Sequence, residues 1–200
     1  MWDKSMTNRS ALRTVLILAL VCASRANAQD CDFPPRGLSQ GTPREYRGFY
    51  ENKAYSYSVT IPDQFVGLDS PNPFYQTGFG IILGVEPKSY ILVDSQHNAL
   101  GFDRAADAAS RFLTHLSKHG TTVQSSKIKE QLLGELKAAE LVATYTCPGS
   151  NERYTRVSIV AISPDKTKLF ELTLFAHADR YQQDLNVLDA LARSWKYLAQ

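Results

Sequence analysis

The chain has 200 residues, of which 22 are basic, 20 acidic and 44% hydrophobic. Its first 28 residues hold Lys4, Arg9, Arg13 and Arg25 against Asp3, so the remainder carries 18 basic and 19 acidic groups. A near-neutral domain lacks the electrostatic footprint for nucleic acid, and no lysine or arginine run marks a membrane-surface patch.

The leading segment reads as a secretory signal. Basic residues precede an apolar run from Val15 to Ala23, and Ala26-Asn27-Ala28 supplies small residues for cleavage between Ala28 and Gln29. The run is shorter than the roughly 20 residues that a bilayer span needs, so no stable span is expected after cleavage. Residues 1–28 are therefore assigned to the signal, 29–48 to an extended arm rich in proline and glycine, and 49–200 to one domain of ordinary size. Two cysteines survive cleavage, Cys31 and Cys147. An even count in an exported chain predicts an intramolecular disulfide, with two unpaired thiols or an interchain pair as the alternatives.

The next element is a strand over residues 55–61, with Tyr55, Tyr57, Val59 and Ile61 on one face and Pro62 as its end. A shorter strand around Phe49 and Tyr50 pairs with it. Residues 66–78 hold Pro71 and Pro73 and read as a loop whose aromatics, Phe74 and Tyr75, either cap the core or meet a partner. Strands follow over 79–85 and 90–93, and Asp94 to Asn98 reads as a polar turn. The first helix starts near Asp103 as N-cap, buries Ala105, Ala109, Phe112, Leu113 and Leu116, and stops at Gly120. A polar strand follows over 121–129.

Residues 136–178 then alternate in three successive strands. Ala139, Leu141, Ala143, Tyr145 and Cys147 share a face in the first. Val157, Ile159 and Ala161 share one in the second, and Phe170, Leu172, Leu174 and Ala176 one in the third. Pro148 to Asn151 and Pro164-Asp165-Lys166 supply the turns. A second helix, capped by Asp179, carries Tyr181, Leu185, Leu188, Ala192 and Trp195. These elements make an α+β domain, an antiparallel sheet covered by helices.

Chemistry is sparse. His115 and His119 share a helix face, but a zinc site wants three or four ligands and no third is indicated. His97 with Ser95 and Asp103 lacks the elbow that exposes a serine nucleophile. Glu130, Glu135 and Glu140 read as solvated faces, and His177-Ala178-Asp179 as a strand end with a helix cap. No phosphate loop, dinucleotide fingerprint or calcium loop is present, so no cofactor, metal or catalytic residue is assigned.

The phrase from Tyr57 to Phe65, the alanine-rich helix from Ala105, the meander from Ala139 to Phe175 and the closing Ser194-Trp195-Lys196-Tyr197 come in the order of the PsbP-like family. The chain resembles these α/β/α sandwiches, which include the extrinsic photosystem protein and bacterial secreted, DcrB-like relatives. The resemblance covers about residues 49–198 and implies a non-catalytic accessory domain, with no catalytic residues to carry over. The leader is bacterial in style and unlike a plastid transit peptide. The expectation is an exported, periplasmic binding or accessory protein. Its partner is a protein meeting Phe74, Tyr75 and the sheet rim, or a small ligand in a pocket between helix and sheet. A hydrolase around His97 is the third option.

Overall fold

The computed structural model describes residues 43–69, 77–118, 121–147 and 151–199. In chain order the strands are β1 (Arg44–Tyr46), β2 (Phe49–Asn52), β3 (Tyr57–Thr60), β4 (Gly67–Asp69), β5 (Phe79–Gly84) and β6 (Ser89–His97). Helix α1 (Ala105–Lys118) follows, then β7 (Thr122–Leu133), β8 (Leu136–Thr146), β9 (Arg153–Ile162) and β10 (Lys168–His177). Helix α2 (Tyr181–Ser194) and β11 (Lys196–Tyr197) close the chain. Eight strands form one antiparallel sheet in the order β1-β4-β5-β6-β10-β9-β8-β7, and β11-β3-β2 form a second, small sheet.

The large sheet is covered on both faces, which makes an α/β/α sandwich. The alternation of residues 136–177 decides which side chains go where. Val157, Ile159, Ala161, Phe170, Leu172, Leu174 and Ala176 point to one face and pack with Leu188, Leu191 and Trp195, and with Tyr57 and Val59 of the small sheet. Ala139, Leu141, Ala143, Val160 and Leu169 point to the other and pack under Ala108, Ala109, Phe112 and Leu113 of α1. The small sheet is tied to the end of the chain. Lys196 and Tyr197 pair with Ser58 and Tyr57, and the Thr60 amide donates to the Ser194 hydroxyl at 3.0 Å.

Several expectations are corrected. Residues 44–46, assigned to the arm, form β1, and residues 67–69, assigned to a loop, form β4. Each is only three residues long; β1 is set by pairing with β4, and β4 by pairing with β1 and β5. Residues 94–97 continue β6 because β10 pairs with them through Lys168↔His97 and Glu171↔Asp94. The polar strand over 121–129 extends to Leu133, where Gly134 turns the chain with φ of 56°. Asp103 precedes the N-cap position of α1, since the amides of Asp107 and Ala108 bond to the Arg104 carbonyl. At α2 the N-cap is Arg180, without a side-chain cap bond. The buried Asp184 of its first turn is instead gripped by the Arg180 guanidinium through two 3.0 Å bonds. The cleavage site Ala28/Gln29, Cys31, Phe74, Tyr75, His119 and Gly120 lie outside the described residues, as does the His115 side chain.

Candidate functional site

An opening lies where the first turn of α1 crosses the ends of β7, β8 and β9. It has a volume of about 700 Å³. Small side chains create it: Ala105 and Ala106 on the helix lie over Ala139 on β8, with Ile162 at the end of β9. Three alanines at a helix–sheet crossing leave space that larger residues would fill.

One wall is the turn between β9 and β10, and it is held firmly. The Lys166 amide donates to the Ser163 carbonyl at 2.9 Å, and Lys166 adopts φ of 61°. The Ser163 hydroxyl donates to Asp165 Oδ1 at 2.5 Å, and the Thr167 amide donates to the same oxygen at 3.1 Å. Asn98 clamps the outside, donating to the carbonyls of Lys166 and Phe102 at 3.0 and 2.9 Å. Lys166 Nζ then reaches Asp103 Oδ1 at 2.6 Å, and this bond holds the Asp103 carboxyl below its usual range.

The remaining polar lining is Arg104, Glu130, Gln131 and Lys137. Gln131 pairs with Ala138, so its side chain lies on the α2 side of the sheet, where its amide nitrogen is shielded from water without a hydrogen-bond partner. Leu132, largely exposed, forms part of the rim. Such a mixture, an apolar floor with a few polar groups at the wall, is what small-molecule sites offer.

The residues singled out from the sequence fall elsewhere. His97 ends β6 and packs its ring against Tyr55 at 5.7 Å. Ser95 is fully buried and donates to the Thr77 carbonyl at 2.5 Å, so it is not presented as a nucleophile. His177 meets the edge of Tyr154 at 5.6 Å and lies 3.5 Å from Asp179. Glu140 pairs with Lys129 at 2.9 Å, while Glu130 lines the pocket. Cys147 follows β8 and packs beside Tyr90, Tyr145 and Phe175. Among the described residues, no group of three or more His, Cys, Asp or Glu could hold a metal, and no helix is long and apolar enough to cross a membrane. Four exposed large hydrophobics, Phe49, Val85, Leu100 and Leu132, belong to four separate segments.

The sequence matches no protein-family model and no curated protein. The structure is more informative. Cyanobacterial PsbP (CyanoP) from Synechocystis sp. aligns with a TM-score of 0.50 at 13% identity, over 80% of this chain and 95% of that one. The chain has the PsbP-like fold. At that identity the likeness establishes architecture alone. Two further solved structures are similar at lower scores. The Ran-binding protein Mog1p of Saccharomyces cerevisiae has a TM-score of 0.48 at 9% identity, over 78% of this chain and 96% of that one. LpqN of Mycobacterium tuberculosis, described as involved in cell envelope biogenesis, has 0.40 at 11%, over 80% and 87%. The PsbP-like architecture accounts for the α/β/α layers.

Proposed function

We propose that this chain is an exported, non-catalytic binding protein whose ligand occupies the pocket at the start of α1. The observation that carries the reading is the opening of about 700 Å³ between helix and sheet, a size suited to a small molecule. Its walls are rigid strands and an internally bonded turn, so the cavity is pre-formed and costs little to order on binding. Export to the periplasm is supported by the leader ending at Ala28, and the Cys31–Cys147 bridge by the oxidising compartment that export implies.

The test is a thermal-shift and NMR screen of the mature chain against a small-molecule collection, run in parallel on Ala106→Phe, which fills the cavity. Ligands that raise the melting temperature of the natural chain and leave the filled variant unmoved support the reading. A screen whose hits act equally on both, or that yields none, rejects the pocket as the site.

A further inference from the structure

Only half of the sheet face that α1 covers lies under the helix itself. The helix packs over Ala139, Leu141, Ala143, Val160 and Leu169 and reaches β9 through Phe112, whose ring centroid lies 5.2 Å from the Arg156 guanidinium. Phe175 of β10 pairs with Arg156 and with Tyr90 of β6, so these side chains share that face. The two rings stack at 4.7 Å. Leu92, Tyr145, Cys147 and Tyr154 complete their cluster, and among the described residues no helix residue belongs to it. Yet Tyr90 and Phe175 are each only 8% exposed. A ring standing off a sheet is shut from water only where something packs on it.

A tether to Cys147 would pass over these rings. Cys147 packs in their cluster, just past the end of β8, and Pro43 precedes β1 at the far edge of the sheet. The registers put Glu45 of β1 in one row with Leu92 of β6, Thr173 of β10 and Leu141 of β8. Cys147 lies six residues beyond that row, and Pro43 two residues beyond it in the other direction. Six strand spacings by eight residues make a diagonal of about 40 Å. The dozen residues from Cys31 to Pro43 extend to about 40 Å, and a disulfide adds about 5.5 Å between its Cα atoms. A tether so nearly taut has one course, the diagonal. That line passes Phe175 and has its midpoint on β6, in the row of Tyr90.

We propose that residues 32–42 dock as a strap across this half of the face, over Phe175 and Tyr90; this step rests on the Cys31–Cys147 bridge. The strap carries Phe33 and Leu38, the only large apolar side chains between Cys31 and Pro43, and their burial against the two rings is its main contact. The bridge at one end and β1 at the other make this docking intramolecular, so a modest contact suffices. Opening the bridge frees one end and uncovers an aromatic strip beside α1.

The experiment uses the chain starting at Gln29, with its thiols titrated first. Nuclear Overhauser contacts are expected from Phe33 and Leu38 to the rings of Tyr90 and Phe175. Hydroxyl-radical labelling of Tyr90, read by mass spectrometry, should be low in this chain. It should rise about fivefold or more in Cys31→Ser with Cys147→Ser, and equally in Phe33→Ser with Leu38→Ser, where the bridge stays closed. Tyr57 and Trp195, buried on the opposite face, should stay protected throughout, which separates release of the strap from unfolding. A closed bridge without those contacts overturns the strap alone, as does Tyr90 labelling that ignores both pairs of substitutions. Contacts to the rings from Phe74 or Tyr75 instead, or protection lost on dilution as a dimer dissociates, overturn it by naming another cover. Two free thiols at the outset overturn the bridge, and the strap with it.

Discussion

Arg156 of β9 and Glu171 of β10 meet at 2.7 Å on the sheet face covered by α1, and both side chains are nearly closed off from water. The guanidinium lies between two rings, 5.2 Å from the centroid of Phe112 and 4.8 Å from that of Phe175, and donates from Nε to Ser158 at 2.8 Å. Glu171 also accepts from Ser158 at 3.2 Å and from Thr173. Asp94 stands directly across β6 from Glu171, and burial holds its carboxyl above the usual range. The arginine therefore neutralises a face that would otherwise carry two neighbouring buried carboxylates. Removing one partner of such a pair costs about 3–5 kcal/mol, whereas replacing both with apolar groups costs far less. Urea denaturation of Arg156→Ala should show the larger loss, and the double variant Arg156→Met with Glu171→Leu much of the stability restored. Equal losses in the two would show that packing, not charge, is at stake.

Trp195 sits just past α2, fully buried, with its ring 6.1 Å from Tyr57 and 5.2 Å from Phe170. It joins the helix, the small sheet and the large sheet in one contact group. Trp195→Ala should cost about 3–5 kcal/mol, the usual loss for a buried large aromatic. In a chain that starts at Gln29, Trp195 is the single tryptophan, so its emission reports directly on this core. It should lie at short wavelength in the fold and shift red in a single step with urea. An emission already red in native buffer would place Trp195 in water and break the packing described.

β8, β9 and β10 were legible because each is ten or eleven residues long and sends alternate side chains to the two covered faces of the sheet. Tyr57, Val59 and Ile61 were legible for the same reason. β1 and β4 were not, since Arg44–Tyr46 and Gly67–Asp69 are short, sit among prolines and glycines, and owe their strand form to partners distant in sequence, β1 to β4 and β4 to β1 and β5. Asp103 and Asp179 have the chemistry of caps, yet Lys166 engages the first, and the second lies one residue ahead of the N-cap. A pocket between helix and sheet was among the expectations, but its place stayed hidden for a different reason. Ala105 and Ala139 read as ordinary members of apolar stripes. Periodicity tells which face a residue takes, but not that the residue opposite is equally small.

The turn beside the pocket should melt in acid. Hydrogen bonds from Ser163 and from the amide and hydroxyl of Thr167 hold Asp165 at a pKa of about 2. A depressed carboxyl favours the fold while ionised, so its contribution is complete above about pH 4, the unfolded value, and fades as pH falls through about 2. Tyr154 works at the other end. Burial first, and its bond to Glu152 second, raise its hydroxyl to about 12. The neutral form is the one the fold favours, so that contribution is complete below about pH 10 and is lost as pH rises through about 12. Melting temperatures of Asp165→Asn should flatten relative to the natural chain between pH 4 and 2, and those of Tyr154→Phe between pH 10 and 12. Curves parallel to the natural chain across these windows would refute the assignments.

The bridge between Cys31 and Cys147 is the proposal most open to direct chemistry. Cys147 lies at the end of β8, among Tyr90, Tyr145 and Phe175, and the described chain begins at Pro43, next to β1 at the opposite edge of the sheet. From β1 to β8 is six strand spacings, about 29 Å at 4.8 Å each. The dozen residues from Cys31 to Pro43 reach about 40 Å when extended, so the tether suffices, with little slack for the added displacement along the strands. Closing a loop of more than a hundred residues restricts the unfolded chain by about 4–5 kcal/mol in the entropy model. Thiol titration of denatured, unreduced mature protein should find no free thiols, and two after reduction. Cys31→Ser, Cys147→Ser and the double variant should then lose similar stability, because each removes the same constraint. Two thiols titrating before reduction would refute the bridge, and a double variant as stable as the natural chain would show that it constrains nothing.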